Sequence, residues 1–212
     1  MRLGRYAALA AIALVLCVAM AGCGVGGNQK KLLSYFPSEE GFEWEYTGTD
    51  DYVQTMGIDS IYKASSGEVT YSISGETVAV TIDDNEPEIE EPAMRRKTLQ
   101  MEYEFSKDSV IERIVDADDL PHNFSQLEVL RAPIKKGRTW SFQAPDWTDL
   151  KAEIVEIGKD ADKADYVRVK YESEVDGGSY VETRLFKKGL GLVEFTALGP
   201  DGAEFVYSLI GN

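Results

Sequence analysis

The sequence predicts an all-β fold of antiparallel meanders in two related units with at most short helices, and three observations carry that reading. Apolar and charged residues alternate with period 2 along several stretches, which sets one strand face against a core and the other in water. Turn signals rich in Asp, Gly and Pro separate those stretches at hairpin spacing. The string Pro-x3-Gly-x2-Trp-x-aromatic occurs twice, as Pro37, Gly41, Trp44, Tyr46 and as Pro133, Gly137, Trp140, Phe142, at a constant offset of 96. Two arrangements fit these units: two lobes, or one shared curved sheet or half-barrel.

Residues 1–22 come first. Arg2 and Arg5 precede an apolar run from Tyr6 to Met20, shorter than the ~20 residues of a membrane-spanning helix. The run ends in Met20-Ala21-Gly22 directly before Cys23. That string resembles the lipobox of bacterial lipoproteins. The resemblance implies a signal peptide over 1–22, cleavage after Gly22, lipid on the Cys23 thiol and acylation of the new amino terminus. The protein would then sit on the extracytoplasmic face of a cell membrane. Each buried methylene contributes ~0.8 kcal/mol, and two chains suffice for stable anchoring. Cys17 leaves with the signal, so the mature chain keeps no free thiol and no disulfide, and its stability rests on its core. Residues 23–34, with Gly24, Gly26 and Gly27, read as a lipid-anchored flexible tether. Only Gln29–Tyr35 within it favours a short helix.

The first unit spans 35–128. Pro37 fixes φ and stops preceding structure, and Gly41 permits a left-handed turn. Trp44 and Tyr46 then point to one side of a starting strand. Tyr52–Tyr62 reads as a long strand and Ser74-Gly75-Glu76 as a turn. Leu99, Met101, Tyr103 and Phe105 alternate with Gln100, Glu102 and Glu104. The stretch Asp83–Glu91, flanked by Pro92, predicts an acidic loop without counterpart in the second unit. Phe124–Leu130 favours a second short helix.

The second unit spans 129–212. Leu150–Gly158 repeats the long strand after the motif. Val167, Val169 and Tyr171 alternate with Arg168, Lys170 and Glu172, and Val181, Thr183 and Leu185 with Glu182 and Arg184. In each case the apolar set is expected inside. Asp176-Gly177-Gly178-Ser179 and Pro200-Asp201-Gly202 are turns, and Phe205, Tyr207 and Leu209 close the chain. Tyr35-Phe36-Pro37 through Tyr46, with Gly189-Leu190-Gly191-Leu192-Val193 late in the second unit, resembles a "YFPxxxGxxWxY … GxGLV" pattern of bacterial lipoproteins and secreted proteins. The first unit departs from it, since Lys107-Asp108-Ser109-Val110-Ile111 has neither glycine. The resemblance implies an envelope protein and names no activity.

Charge and residue inventory narrow the function classes. Lys plus Arg is 22 against 37 Asp plus Glu, a net charge of −15, and loss of the signal removes two Arg and no acid, giving −17. That disfavours nucleic acid and electrostatic attachment to anionic lipid. One His and two Cys form no zinc site, and no cofactor is implied. His122 lies in a loop-like string with no catalytic motif. The runs Asp83–Glu91, Asp116–Asp119 and Asp160–Asp165 lack the spacing of a calcium loop and read as turns. Trp147, outside both motif copies, is the aromatic expected to be exposed and available for binding. The sequence favours a non-catalytic envelope protein that binds a protein, glycan or lipid partner. A carrier or chaperone for an apolar ligand and an enzyme acting on envelope glycan are the alternatives.

Overall fold

The computed structural model describes residues 25–49, 52–81, 93–117, 124–145, 149–175 and 178–212. Helix α1 (Val25–Leu33) precedes twelve strands. The first half holds β1 (Glu43–Gly48), β2 (Val53–Lys63), β3 (Val69–Thr81), β4 (Ala93–Phe105), β5 (Ser109–Ala117) and β6 (Gln126–Arg131). The second holds β7 (Thr139–Gln143), β8 (Asp149–Lys159), β9 (Asp165–Val175), β10 (Gly178–Lys187), β11 (Gly191–Leu198) and β12 (Glu204–Gly211). All twelve form one antiparallel sheet in the order β6-β5-β4-β3-β2-β1-β12-β11-β10-β9-β8-β7. The halves are therefore two meanders joined by pairing the first strand with the last, Tyr46 opposite Leu209.

The outermost strands, β6 and β7, meet through side chains. Trp140 Nε1 donates to the Glu128 carbonyl at 3.2 Å, and the Tyr171 hydroxyl donates to the Val129 carbonyl at 2.6 Å. The sheet is thus a nearly closed barrel, one curved sheet and not two lobes. Edge carbonyls of β6 that could template another strand are covered by these donors.

Local geometry recurs with the sequence offset. The first three strands of each half start at 43, 53 and 69, and at 139, 149 and 165. Gly41 and Gly137 both have φ 78°. Each donates its N–H across the turn, to the Ile58 and Ile154 carbonyls, at 2.8 Å. The positive φ turns that N–H toward the neighbouring strand, which a Cβ would oppose. Just beyond, both ladders slip by one residue, between Ile58 and Ser60 and between Ile154 and Glu156. The constant offset ends after β3: eleven residues separate Thr81 from Ala93, whereas two separate Val175 from Gly178. The acidic stretch Asp83–Glu91 falls in that longer connection, outside the described residues.

The late glycines explain the first tryptophan. Gly189 and Gly191 have φ 77° and 80°. A Cβ on Gly191 would lie 3.6 Å from the Trp44 ring, and Trp44 Nε1 donates to the Leu190 carbonyl at 2.5 Å. The late motif of one half therefore seats the early motif of the other. Trp140 meets β6, whose neighbouring hairpin lacks those glycines, and takes a different partner.

Five expectations need correction. Val25–Leu33 is helical where a flexible tether over 23–34 was expected, because tertiary contacts outweigh the low helix propensity of Gly26 and Gly27. Leu32 is fully buried, and Gln29 Nε2 donates to the Gly67 and Phe105 carbonyls at 2.7 and 3.1 Å. Asn28 Nδ2 donates to Asp108 at 2.9 Å, and the Ser34 carbonyl accepts from Gly189 N at 3.0 Å. α1 thereby lies across one end of the barrel and touches both halves. Phe124–Leu130 is not helical, and strand β6 occupies its larger part; Leu127, Glu128, Val129 and Leu130 are all buried, so no alternation marks it. The boundary expected between 128 and 129 falls inside β6. Ser74-Gly75-Glu76 lies within β3, where a Cβ on Gly75 would come 2.3 Å from the Thr55 carbonyl. Finally, β10 is turned over: Tyr180, Glu182, Arg184 and Phe186 point inward, and Val181, Thr183 and Leu185 are half-buried. Glu182 pairs with Tyr171 and Arg184 with Val169, both core residues, and cross-strand partners share a face.

Candidate functional site

Among the described residues, aromatic side chains pack the barrel interior. Tyr46, Tyr103, Tyr171, Tyr207, Phe186 and Phe195 are buried, and the space bounded by Gln54, Met101, Tyr103, Glu112, Leu192 and Tyr207 measures about 10 Å³. That is room for one water at most. The buried phenols have partners: Tyr46 donates to the Leu192 carbonyl at 2.9 Å, Tyr103 to Glu112 at 2.9 Å and Tyr180 to Glu182 at 2.8 Å. Burial pushes the hydroxyls of Tyr46, Tyr103, Tyr171 and Tyr207 above the usual phenol range.

Arg184 stands at the centre of this interior, 1% exposed. It donates through Nη1 to Glu112 of β5 at 2.8 Å and through Nε to Glu182. Its guanidinium carbon lies 5.5 Å from the Phe195 ring centroid and 5.8 Å from that of Tyr171. Burial works against its charge, and the two carboxylates outweigh burial, holding Arg184 well above the usual arginine range. This bridge ties the first half to the second through an ion pair sealed from solvent. It offers no opening through which a substrate could reach Glu112 or Glu182.

Among the described residues, a concave feature open to solvent lies outside the barrel, across β12, β1, β2 and β3. It is a groove of about 720 Å³ lined by Glu43, Glu45, Asp59 and Glu76, with Thr55 and Ser74 between them. Gly57 and Gly211 line it with no side chain on the outer face, which deepens the sheet surface there. The slip at Asp59 turns that carboxylate outward, where it accepts from Ser74 Oγ at 2.9 Å. Glu76 meets Arg96 at 3.5 Å with both largely exposed. The groove straddles the seam where the chain's first and last strands pair.

The residues expected to matter from sequence fall elsewhere. Cys23, His122 and Trp147 lie outside the described residues. Trp44 and Trp140 are buried at 3% and 5% exposure, as core residues should be. In the third acidic run, Asp160 binds Lys187, and Asp165 binds Lys159 at 2.6 Å. These lysines hold both carboxyls below the usual range. Among the described residues no group of three His, Cys, Asp or Glu could hold a metal. Also among them, no helix is long and apolar enough to cross a membrane. The groove carboxylates escaped sequence reading because strand pairing, together with the slip at Asp59, brings Glu43 and Glu45 of β1, Asp59 of β2 and Glu76 of β3 to one face beside the end of β12. Their one signal was the set of acids alternating with Trp44 and Tyr46.

No family model matches the chain, and no curated protein matches its sequence. Two crystal structures are similar in shape. One is a provisionally named lipoprotein from Parabacteroides distasonis, with TM-score 0.49, 12% identity, and coverage of 82% of this chain and 96% of that one. The other is a provisionally named exported protein with a YmcC-like fold from Bacteroides fragilis, with TM-score 0.47, 13% identity and the same coverage.

Proposed function

We propose that the chain is an extracytoplasmic lipoprotein, held to the cell membrane by lipid on Cys23, that binds a cationic segment of an envelope partner in its outer groove and catalyses nothing. The observation that carries the binding reading is the contrast between a filled interior and an open groove lined by four carboxylates. The carrier reading needs an apolar cavity of a few hundred Å³, and the interior space described above is far smaller. The enzyme reading needs two acids in distinct environments within one solvent-reachable cleft; the carboxylates around Arg184 are buried, and those of the groove all stand on one open sheet face. The anchor rests on the Met20-Ala21-Gly22-Cys23 string, and the two-copy construction on the shared offset of 96.

A photo-crosslinking residue at Thr55, exposed on the groove wall, tests the binding site in intact cells. We expect a discrete adduct that disappears when Glu43, Glu45, Asp59 and Glu76 are changed together to Gln or Asn. Absence of any adduct, or an adduct indifferent to those charges, contradicts this use of the groove.

A further inference from the structure

Most exposed lysines among the described residues gather at the α1 end of the barrel. In the sequence, the strand ends opposite α1 are linked by residues 49–52, 82–92, 118–123, 144–148, 176–177 and 199–203, most of them outside the described residues. Together they contain thirteen acidic residues and no Lys or Arg. The α1 end is the reverse. Lys30, Lys31, Lys63, Lys107, Lys135 and Lys136 are exposed there, and so are Lys159, Lys163 and Lys188. Hydrogen bonds from α1 and the strand connections place them together: Asn28 on Asp108, Ala132 N on the Asp108 carbonyl, and Lys188 N on the Asp165 carbonyl. The acids at this end are fewer. Asp165 alone is shared by Lys31, Lys159 and Lys188, at 3.7, 2.6 and 3.9 Å. Asp160 and Asp162 are held by Lys187. Glu39, Glu40, Glu43 and Glu68 are exposed, and Asp108 accepts from Asn28. The end is net positive on a chain of net charge −15.

This end is also where the chain enters the fold. Cys23 stands two residues before Val25, the first residue of α1, so a lipid there leaves little slack between bilayer and barrel. We propose that the α1 end is a membrane-docking surface whose exposed lysines bind anionic headgroups of the bilayer that holds the anchor. This rests on the lipoprotein reading above and adds the orientation: the strand ends opposite α1 directed away from the membrane, with the groove on the side wall. The net negative charge does not oppose it. β2 is 11 residues long, so at ~3.3 Å per residue and a tilted strand the far end stands roughly 30 Å away. The Debye length is ~8 Å at physiological salt, so charge at the far end is screened from the bilayer, which meets the lysines.

The test uses the mature chain, residues 23–212, as Cys23→Ser, which carries no acyl chain and keeps every described residue. It is sedimented with phosphatidylcholine vesicles with or without about 40% phosphatidylglycerol, at about 0.05 M and about 0.5 M salt. We expect binding to the anionic vesicles alone, weaker by at least about tenfold at high salt. Lys107→Gln, Lys135→Gln, Lys136→Gln and Lys188→Gln combined should cost at least about tenfold at low salt. Lys151→Gln with Lys170→Gln, on strand faces away from that end, should bind as the parent does, with both variants melting like it. Equal binding to both vesicles, binding to neither, capture of soluble polyphosphate without vesicles, or equal loss in the control overturns the proposal. Because the protein lacks the acyl chain, an unmodified Cys23 in the native protein removes the anchor and leaves this result standing.

Discussion

Trp44→Ala and Trp140→Ala should each lower unfolding free energy by about 3–5 kcal/mol, the range for truncating a buried large aromatic. Trp44 packs on Phe42 with ring centroids 5.2 Å apart and lies against Gly191. Its truncation empties the contact between the early motif of one half and the late motif of the other. Trp140 stands where β6 and β7 meet without a ladder, so its loss opens the barrel along that line. Denaturant titration of both variants checks the size. Wild-type midpoints for both would mean that neither ring is part of the core.

Arg184→Leu should cost a similar amount, about 3–5 kcal/mol, because it leaves Glu112 and Glu182 buried without their cation. The loss should depend on pH in a defined direction. Carboxylates buried without a cation take up protons more readily than in the unfolded chain, so their folded pKa rises. Stability from a raised pKa is fully present below the unfolded value and is lost as pH rises through the folded value. The gap between wild type and Arg184→Leu should therefore be narrower at about pH 5 than at about pH 8. Replacing Glu112 and Glu182 by apolar residues as well should recover much of the loss and abolish the pH dependence. A gap unchanged across that range would place these carboxylates in contact with water.

How far each of these features was legible follows from what local sequence can encode. The motif positions were readable because Gly41 and Gly137 answer a backbone requirement, positive φ, that few residues meet. The strands β4 and β9 were readable because one face is wet and alternation survives. β6 was not, because four successive residues are buried and the pattern vanishes. The short helix expected over Gln29–Tyr35 is α1, which begins earlier, at Val25; its first turn was hidden by Gly26 and Gly27, and Gln29 fixes it by reaching carbonyls more than 30 residues away. On β10 the charged residues Glu182 and Arg184 suggested the wet face, and no local signal revealed Glu112, 72 positions away, as the partner that makes their burial tolerable. The groove was unreadable for the same reason, being assembled from strands at both ends of the chain. The gathering of lysines at the α1 end was present in the sequence all along. It became visible only once the strand order assigned each connection to an end.

The central claim, a barrel held at its α1 end by lipid on Cys23, is tested most directly by mass spectrometry of the amino-terminal peptide of the protein purified from its native membrane. The account predicts a mature chain beginning at Cys23, with acyl chains on its thiol and amino group and Cys17 absent. A soluble mature protein that retains an unmodified Cys23 thiol would contradict it.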